Sequence, residues 1–300
     1  MQSSPAAVID LGSNTFKYIV GKRDAEGPSI LLDASLTVRL AANLQKDGFL
    51  GEEAMHRGMV ALGEIISQLQ SYQPSSISVV GSQALRQAQD ASLFLAMVKQ
   101  QLGLDIRVLS GEEEARLAWQ AATLEQTYRD GLAVLDLGGG SLEIIFGDAL
   151  PRHSFSLSLG AVLMTARFIH HDPPLDSELS GLANYVDASL KTALPHHPVS
   201  RLMAIGGTTL NLAAINRHLN NDDTTLTAGN LNQLINLLAS LPLIERKKTS
   251  GLDPQRADII IAGAVVIREV LRHLGTQELF VCRSGIRHAL LAAALTLLPC

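Results

Sequence analysis

Two stretches of the chain repeat one hydrophobic pattern. Ala7-Val-Ile-Asp-Leu-Gly-Ser-Asn-Thr-Phe-Lys-Tyr-Ile-Val-Gly21 and Ala133-Val-Leu-Asp-Leu-Gly-Gly-Gly-Ser-Leu-Glu-Ile-Ile-Phe-Gly147 each read as an apolar strand, Asp-Leu-Gly, a turn of small residues and a second apolar strand. Recurrence of this unit about one domain length apart indicates a duplicated architecture. In the first half the pattern predicts strands over 6–11 and 16–21, and one or two more within 30–41. A helix is predicted over 52–69, with Ala54, Met55, Met59, Leu62, Ile65, Ile66 and Leu69 on one side and Pro74 beyond its end. A buried strand over 77–80, a helix over 91–102 and a strand over 106–109 follow. Polar residues 123–131 connect the halves. After the second hairpin the pattern enters a helix within 157–169, then predicts a loop over 170–174 and a helix near 177–193. A strand over 201–205 and helices over 210–218, 231–241, 258–274 and 286–298 complete the chain. Strands and helices alternate in both halves, which makes the class α/β.

At 300 residues the chain suits two domains. We place them at 1–125 and 126–300, with the terminal helix 286–300 able to pack back on the first. Hydrophobic content of 47% against 18% charge excludes general disorder. A net charge of −5 argues against broad nucleic-acid binding, though a basic cleft could still take a polyanion. Cys282 and Cys300 are too few for a disulfide framework or a zinc site. Met1-Gln-Ser-Ser-Pro5 lacks a basic leader region, so a cytoplasmic protein is expected. The apolar tail 289–298 reaches only half of the roughly 20 residues a membrane span needs, so no membrane partner is expected.

The repeated turns carry the candidate chemistry. Small residues let backbone N–H groups approach an anion closely, and the preceding Asp can hold a cation or water. Gly138, Gly139, Gly140 and Ser141 are candidate phosphate donors, with Ser13 and Asn14 their counterparts. An ordinary hairpin turn would use the same glycines. Asp136 ends an apolar strand, where a bound Mg²⁺ would relieve the burial of its charge, and Asp10 is its equivalent. Glu143 follows on the next strand; simple alternation could instead place it on a solvated sheet face.

Three glutamates stand together in Ser110-Gly-Glu-Glu-Glu-Ala-Arg-Leu117. Ser110 and Glu113 have capping-box spacing, and Glu112 suits the first turn of a helix. Glu114 lies over Leu117, Ala118 and Ala121 on the apolar face, making it a candidate base with a raised pKa. Gly206-Gly-Thr208, between a strand and a helix, suits anion binding at a helix N-terminus. Arg86 has a guanidinium that matches phosphate oxygens geometrically, though a lone arginine is commonly an exposed helix residue. Arg246-Lys-Lys248 reads as a solvated loop that could also attract a polyanion.

The chain resembles the exopolyphosphatase / guanosine pentaphosphate phosphohydrolase (Ppx/GppA) family. The resemblance rests on Asp10–Phe16, Gly81–Ala88, Ser110–Leu117, Asp136–Glu143, Ser158–Val162, Gly206–Thr208 and Gly251–Asp258, in family order over nearly the whole length. It implies two actin-like domains, of the RNase H-like, sugar kinase and Hsp70 ATPase superfamily, flanking a cleft. It further implies Mg²⁺-assisted release of the terminal phosphate of inorganic polyphosphate, or of guanosine pentaphosphate. On this resemblance Glu114 activates water, Arg86 contacts phosphate, Glu143 helps hold the metal or the water, and Lys17 is a possible added phosphate contact. Family members often pair, so a homodimer, aided by the tail ending at Cys300, is an expectation. Two other readings compete: an actin-type ATPase or sugar kinase, and a non-catalytic sensor of polyphosphate or guanosine pentaphosphate.

Overall fold

The computed structural model describes residues 4–25, 27–124, 131–195 and 199–297. In chain order its elements are β1 (Ala6–Leu11), β2 (Thr15–Asp24), β3 (Gly27–Thr37), α1 (Leu44–Asp47), α2 (Glu52–Gln70), β4 (Ser76–Gly81), α3 (Gln83–Gln87), α4 (Ala91–Leu102), β5 (Ile106–Val108) and α5 (Gly111–Ala122). They continue with β6 (Leu132–Leu137), β7 (Leu142–Gly147), β8 (Pro151–Leu157), α6 (Ala161–Phe168), α7 (Asp176–Ala193), β9 (Arg201–Ile205) and α8 (Gly207–Asn220). The last are β10 (Thr225–Thr227), α9 (Ala228–Ala239), α10 (Leu243–Arg246), α11 (Ile260–Leu274), β11 (Glu278–Val281) and α12 (Ile286–Leu297). No helix among the described residues is long and apolar enough to cross a membrane. Residues 125–130, most of the connection 123–131, and residues 298–300 with Cys300, lie outside the described residues.

The chain divides into two compact units. One comprises the residues up to Ala121 together with those from Ser284 on; the other runs from Ala122 to Arg283. The first sheet has the order β3-β2-β1-β4-β5 and the second β10-β11-β9-β6-β7-β8. Read from the hairpin outward, β3-β2-β1-β4-β5 and β8-β7-β6-β9-β11 are the same topology, so the duplication extends well beyond the repeated turns. In both, the hairpin strands pair antiparallel and the following strands add in parallel.

Alternation along β1 sends Ala7, Ile9 and Leu11 into one core and Ala6 and Val8 into another. The first core is closed by Leu62, Ile65 and Leu69 of α2 and Phe94 of α4. The second is closed by Leu291 and Leu295 of α12, so the end of the chain completes the first unit. Asp33 on β3 holds the start of α12: Arg287 donates to it from Nε (2.6 Å) and Nη2 (3.0 Å), and His288 Nε2 lies 3.2 Å away. In the second unit α11 is buried along almost its whole length. Its hydrophobic residues pack with those of α7, α8 and α9 in a single core.

The structure alters several expectations. Residues 30–37 form part of one long edge strand, β3, and residues 38–41 lie beyond its end. The region before α6 contains the strand β8, which the pattern did not predict, and β10 and β11 were likewise missed. Arg246 is buried, not in a solvated loop. Its guanidinium donates to the carbonyls of Leu238, Ala257 and Leu241 and to Asp172 Oδ1 (2.9 Å), a structural staple that leaves it no part in attracting a polyanion.

The Asp33 cluster gives the first unit a pH-dependent tie. Partial burial raises the Asp33 pKa, but hydrogen bonds from His288 and Arg287 and the arginine's charge outweigh this and hold it at about 2. The folded pKa is therefore depressed, so its stabilisation is present above pH ~4 and is lost as pH falls toward 2. Asp33→Asn is expected to remove on the order of 2 kcal/mol at pH 6 and almost none at pH 2. Denaturant unfolding at the two pH values measures this; an equal loss at both would contradict the assignment.

Candidate active site

The two Asp-Leu-Gly turns share one hydrogen-bond scheme. In the second unit the Gly138 N–H donates to Ser141 O (3.0 Å); in the first the Gly12 N–H donates to Thr15 O (3.2 Å). Beyond this closure, the turn carbonyls are drawn to one side. Gly138 O accepts from Ala161 N–H (3.0 Å), Gly139 O from Val162 (2.9 Å) and Leu163 (3.2 Å), and Gly140 O from Gly160 (3.1 Å). These donors are the otherwise unsatisfied N–H groups at the start of α6. Since each C=O shares a planar trans peptide with the next residue's N–H, pointing the opposite way, the amides of Gly139, Gly140 and Ser141 are directed away from α6. Three successive amides so arranged form an anion-binding concavity. Gly160 permits it: a Cβ there would collide with the backbone of Gly139 and Gly140.

The first unit repeats the device with different donors. Asn14 O accepts from the N–H groups of Val38 (2.9 Å) and Arg39 (2.8 Å), and Ser13 O from Ala41 (3.0 Å). Asn14 and Thr15 amides therefore point outward. Arg39 delivers its N–H from a left-handed backbone conformation, φ 55°, a strain of order 1 kcal/mol found mainly where function requires it. The donors differ from those the sequence suggested. Gly138 spends its amide closing the turn, Ser13 contributes its carbonyl to the support, and Thr15 joins Asn14 as an outward donor. The Asn14 side chain turns to Thr15 Oγ1 (3.2 Å).

Register separates the two turns electrostatically. Asp10 lies directly opposite Lys17, whereas Asp136 lies directly opposite Glu143. Directly opposed residues in antiparallel strands share a sheet face, with Cβ atoms about 5 Å apart, and like charges there repel. The first pair carries opposite charges, whereas the second places two carboxylates side by side. Burial raises the Asp10 carboxyl above the usual range, with Lys17 and Arg287 pulling it down. Glu143 is buried, not on a solvated face, and accepts from Ser156 Oγ (2.9 Å). Among the described residues no three His, Cys, Asp or Glu side chains form a metal-holding group. Mg²⁺ needs fewer, since it keeps several waters and binds one or two carboxylates plus phosphate oxygens. Asp136 and Glu143 fit that requirement better than Asp10.

Gly206 follows β9 and stands beside Asp136. A Cβ at Gly206 would lie 2.8 Å from Asp136 Oδ1, and its φ of +99° already favours glycine. Gly207 then opens α8. Thr208 is buried, and Gly263 of α11 has no room for a Cβ because the Thr208 methyl lies there, so the position offers an anion only its amide. Arg256, which sequence reasoning missed as a separate group, lies against Gly207, where a Cβ would collide with its guanidinium. Burial lowers the Arg256 pKa, while Asp253 and Asp258 raise it. Its guanidinium at the start of α8 adds positive charge to the anion-favouring end of the helix.

In the first unit Glu114 and Arg86 meet across 28 residues of sequence. Arg86 Nη1 donates to Glu114 Oε2 (2.7 Å) and to Leu109 O (2.7 Å). Glu114 is buried beside Leu117, Ala118 and Ala121 on α5. Its neighbours have other tasks: Ser110 Oγ accepts from Glu113 N–H (3.1 Å), and Glu113 Oε2 accepts from Ser110 N–H (2.9 Å), the capping box. Glu112 is exposed. Arg86 thus orients the one carboxylate of the three that is withheld from solvent. The Gly12–Thr15 turn, Arg86 and Glu114 follow β1, β4 and β5 respectively, at the carboxyl ends of parallel strands where α/β sheets bind ligands.

The fold is a duplicated α/β architecture whose two hairpin turns each direct backbone amides outward. The sequence model of the Ppx/GppA phosphatase family matches residues 19–297, and the chain belongs to that family. A solved family member from Aquifex aeolicus is 26% identical, with 97% of each chain covered and a TM-score of 0.79. A second Aquifex aeolicus structure, described as a PPX-GPPA enzyme, is 27% identical over 96% of this chain and 99% of its own, with a TM-score of 0.78. An exopolyphosphatase from Cytophaga hutchinsonii shares the fold at 24% identity, 98% and 99% coverage and a TM-score of 0.87. The family is one of phosphohydrolases.

Two outcomes follow from the geometry. Gly160→Ala should force α6 off the glycine turn, costing about 2 kcal/mol and lowering the melting temperature of the protein by about 4–8 °C; an unchanged melting temperature would contradict the close approach. Glu143→Gln should weaken Mg²⁺ binding about tenfold, near 1.4 kcal/mol, while Asp10→Asn changes it less than about twofold. Calorimetric titration with Mg²⁺ decides, and equal losses at both would refute the charge asymmetry.

Proposed function

We propose that the chain is an exopolyphosphatase, releasing terminal orthophosphate from inorganic polyphosphate. The observation that carries this reading is the set of outward amides in both turns, with a carboxylate pair beside one of them. Gly139, Gly140 and Ser141 in one unit, and Asn14 and Thr15 in the other, each offer backbone amides to phosphate oxygens. Such donors are fixed before the reaction, so stabilising charge in the transition state needs no reorganisation; one is typically worth on the order of 10²–10³ in rate. Mg²⁺ held by Asp136 and Glu143 would neutralise phosphate charge when bound. The amides of Gly206, Gly207 and Thr208 and the Arg256 guanidinium favour the next phosphates of the chain.

Glu114 is the general base. Its carboxylate accepts a proton from water as the water oxygen forms a bond to the terminal phosphorus. The bridging P–O bond breaks, and its electron pair leaves on the shortened polyphosphate. Arg86 is a positioning residue, holding the carboxylate through Nη1. A sensor that only binds the polyanion would have no use for a buried carboxylate held in this way. A nucleotide kinase or ATPase would need a base pocket beside the turns.

Glu114→Gln keeps the shape and removes the basicity. Its kcat on long-chain polyphosphate should fall at least about a hundredfold, in line with loss of general-base catalysis, with substrate binding retained. An unaffected kcat would sink the assignment. Release from guanosine pentaphosphate alone would keep the chemistry and change the substrate.

A further inference from the structure

The support of the first turn is itself supported. Val38 and Arg39, whose N–H groups hold Asn14 O, lie beyond the end of β3 and belong to no helix or strand. Their carbonyls are taken by a single side chain. Arg57 of α2 donates from Nε to Val38 O (3.1 Å) and from Nη2 to Arg39 O (3.1 Å). Nε and Nη2 lie on one edge of the planar guanidinium, so the fork meets two successive carbonyls at once. The remaining nitrogen, Nη1, donates to Glu53 Oε1 (2.9 Å), one turn back along α2.

Ordinary structural needs do not account for this fork. The Glu53 carboxylate is 85% exposed, and an exposed pair of that kind contributes little. The bond to Arg39 O is also exposed, where water would serve the carbonyl equally well. What does require holding is the backbone, because Arg39 sits at φ 55° without being a glycine. The peptide group joining Val38 to Arg39 is gripped at both ends, its carbonyl by Arg57 Nε and its N–H by Asn14 O (2.8 Å).

The next peptide group in line joins Asn14 to Thr15. Its carbonyl accepts from Arg39, and its own N–H faces outward. One chain of hydrogen bonds therefore runs from the guanidinium through two peptide groups to the Thr15 amide, every donor pointing toward the anion. Dipoles aligned in this way polarise one another. A full positive charge stands at the far end, where it makes the Thr15 N–H a stronger donor. The glycine turn has its counterpart in the start of α6, whose amides carry the helix dipole, roughly +0.5 of an elementary charge.

We propose that Arg57 is the positioning residue of the first turn. It fixes the strained segment at Val38 and Arg39 and passes its charge through two peptide groups to the Thr15 amide, as the start of α6 does for the glycine turn. Arg57 itself touches no substrate. The inference rests on the reading of the turns as phosphate sites, and not on hydrolysis of polyphosphate.

The test titrates ¹⁵N-labelled wild type, Arg57→Ala, Arg57→Lys and Glu53→Gln with inorganic orthophosphate and records each melting temperature. In Arg57→Ala the apparent Kd read at the Asn14 and Thr15 amides should rise about tenfold, the loss expected of one charge-assisted hydrogen bond. The Gly139, Gly140 and Ser141 amides should still respond. Arg57→Lys keeps a charge but has no fork, so its Kd should lie between those of wild type and Arg57→Ala. Glu53→Gln removes only the exposed pair and should stay within about twofold of wild type. Hydrogen exchange should quicken at the Val38 and Arg39 amides of Arg57→Ala while Val8 and Ile9 of β1 remain protected, which shows the unit still folded. A merely structural arginine would lower the melting temperature and leave the Kd at Thr15 unchanged, which overturns the proposal. Should Arg57→Ala fail to fold, an Arg57→Lys Kd equal to that of wild type overturns it as well. Asn14 and Thr15 amides silent to phosphate in the wild type would sink the anion reading of that turn and the proposal with it. The tenfold shift without any turnover of polyphosphate would uphold the proposal and sink the exopolyphosphatase reading alone.

Discussion

Everything proposed for this protein depends on which way three peptide planes face. The carbonyls of Gly138, Gly139 and Gly140 are held by the N-terminal amides of α6, and the rigidity of the peptide bond does the rest. Amides that face outward are a consequence of carbonyls that are satisfied inward. The helix start gains acceptors it would otherwise lack, and the turn gains a fixed orientation. Neither half of the arrangement survives without the close approach at Gly160. The first unit reaches the same end through the segment from Val38 to Ala41, with a strained Arg39 in place of a helix terminus.

Duplication then allows the two halves to diverge in charge. One cross-strand position carries Lys17 in the first hairpin and Glu143 in the second, each facing an aspartate. Equivalent scaffolds thus carry a pair of opposite charges in one hairpin and a pair of carboxylates in the other, and the proposed function assigns a divalent cation to the second. Burial of Glu143 and its hydrogen bond to Ser156 hold that carboxylate in one geometry.

The sequence disclosed the α/β class and the major helices because their signals are local. Asp-Leu-Gly recurs with identical flanking patterns, and Leu62, Ile65 and Leu69 mark a helix face without reference to anything distant. β8 escaped because Pro151-Arg-His-Ser-Phe-Ser-Leu157 is an edge strand with mostly exposed side chains, which removes the hydrophobic signal. β10 and β11 are three and four residues long, too short for a period to show. The start of α8 at Gly207, earlier than its apolar periodicity suggests, is masked by two glycines of low helix propensity, Gly206 required beside Asp136 and Gly207 beside Arg256. Glu114 was legible from its face, whereas its tie to Arg86 was not, since the two stand on different elements. The contrast of Lys17 with Glu143 was available by laying one repeat over the other. Arg246 misled because a basic run resembles a solvated loop, and only the tertiary fold shows three carbonyls converging on it.

The most direct measurement is of the amides themselves. In ¹⁵N-labelled protein titrated with orthophosphate and Mg²⁺, the account expects the largest shifts at Gly139, Gly140 and Ser141, with smaller ones at Asn14 and Thr15. The Gly138 and Gly12 amides, committed to Ser141 and Thr15, should move little. Shifts confined to exposed basic side chains, with the turn amides unchanged, would contradict it.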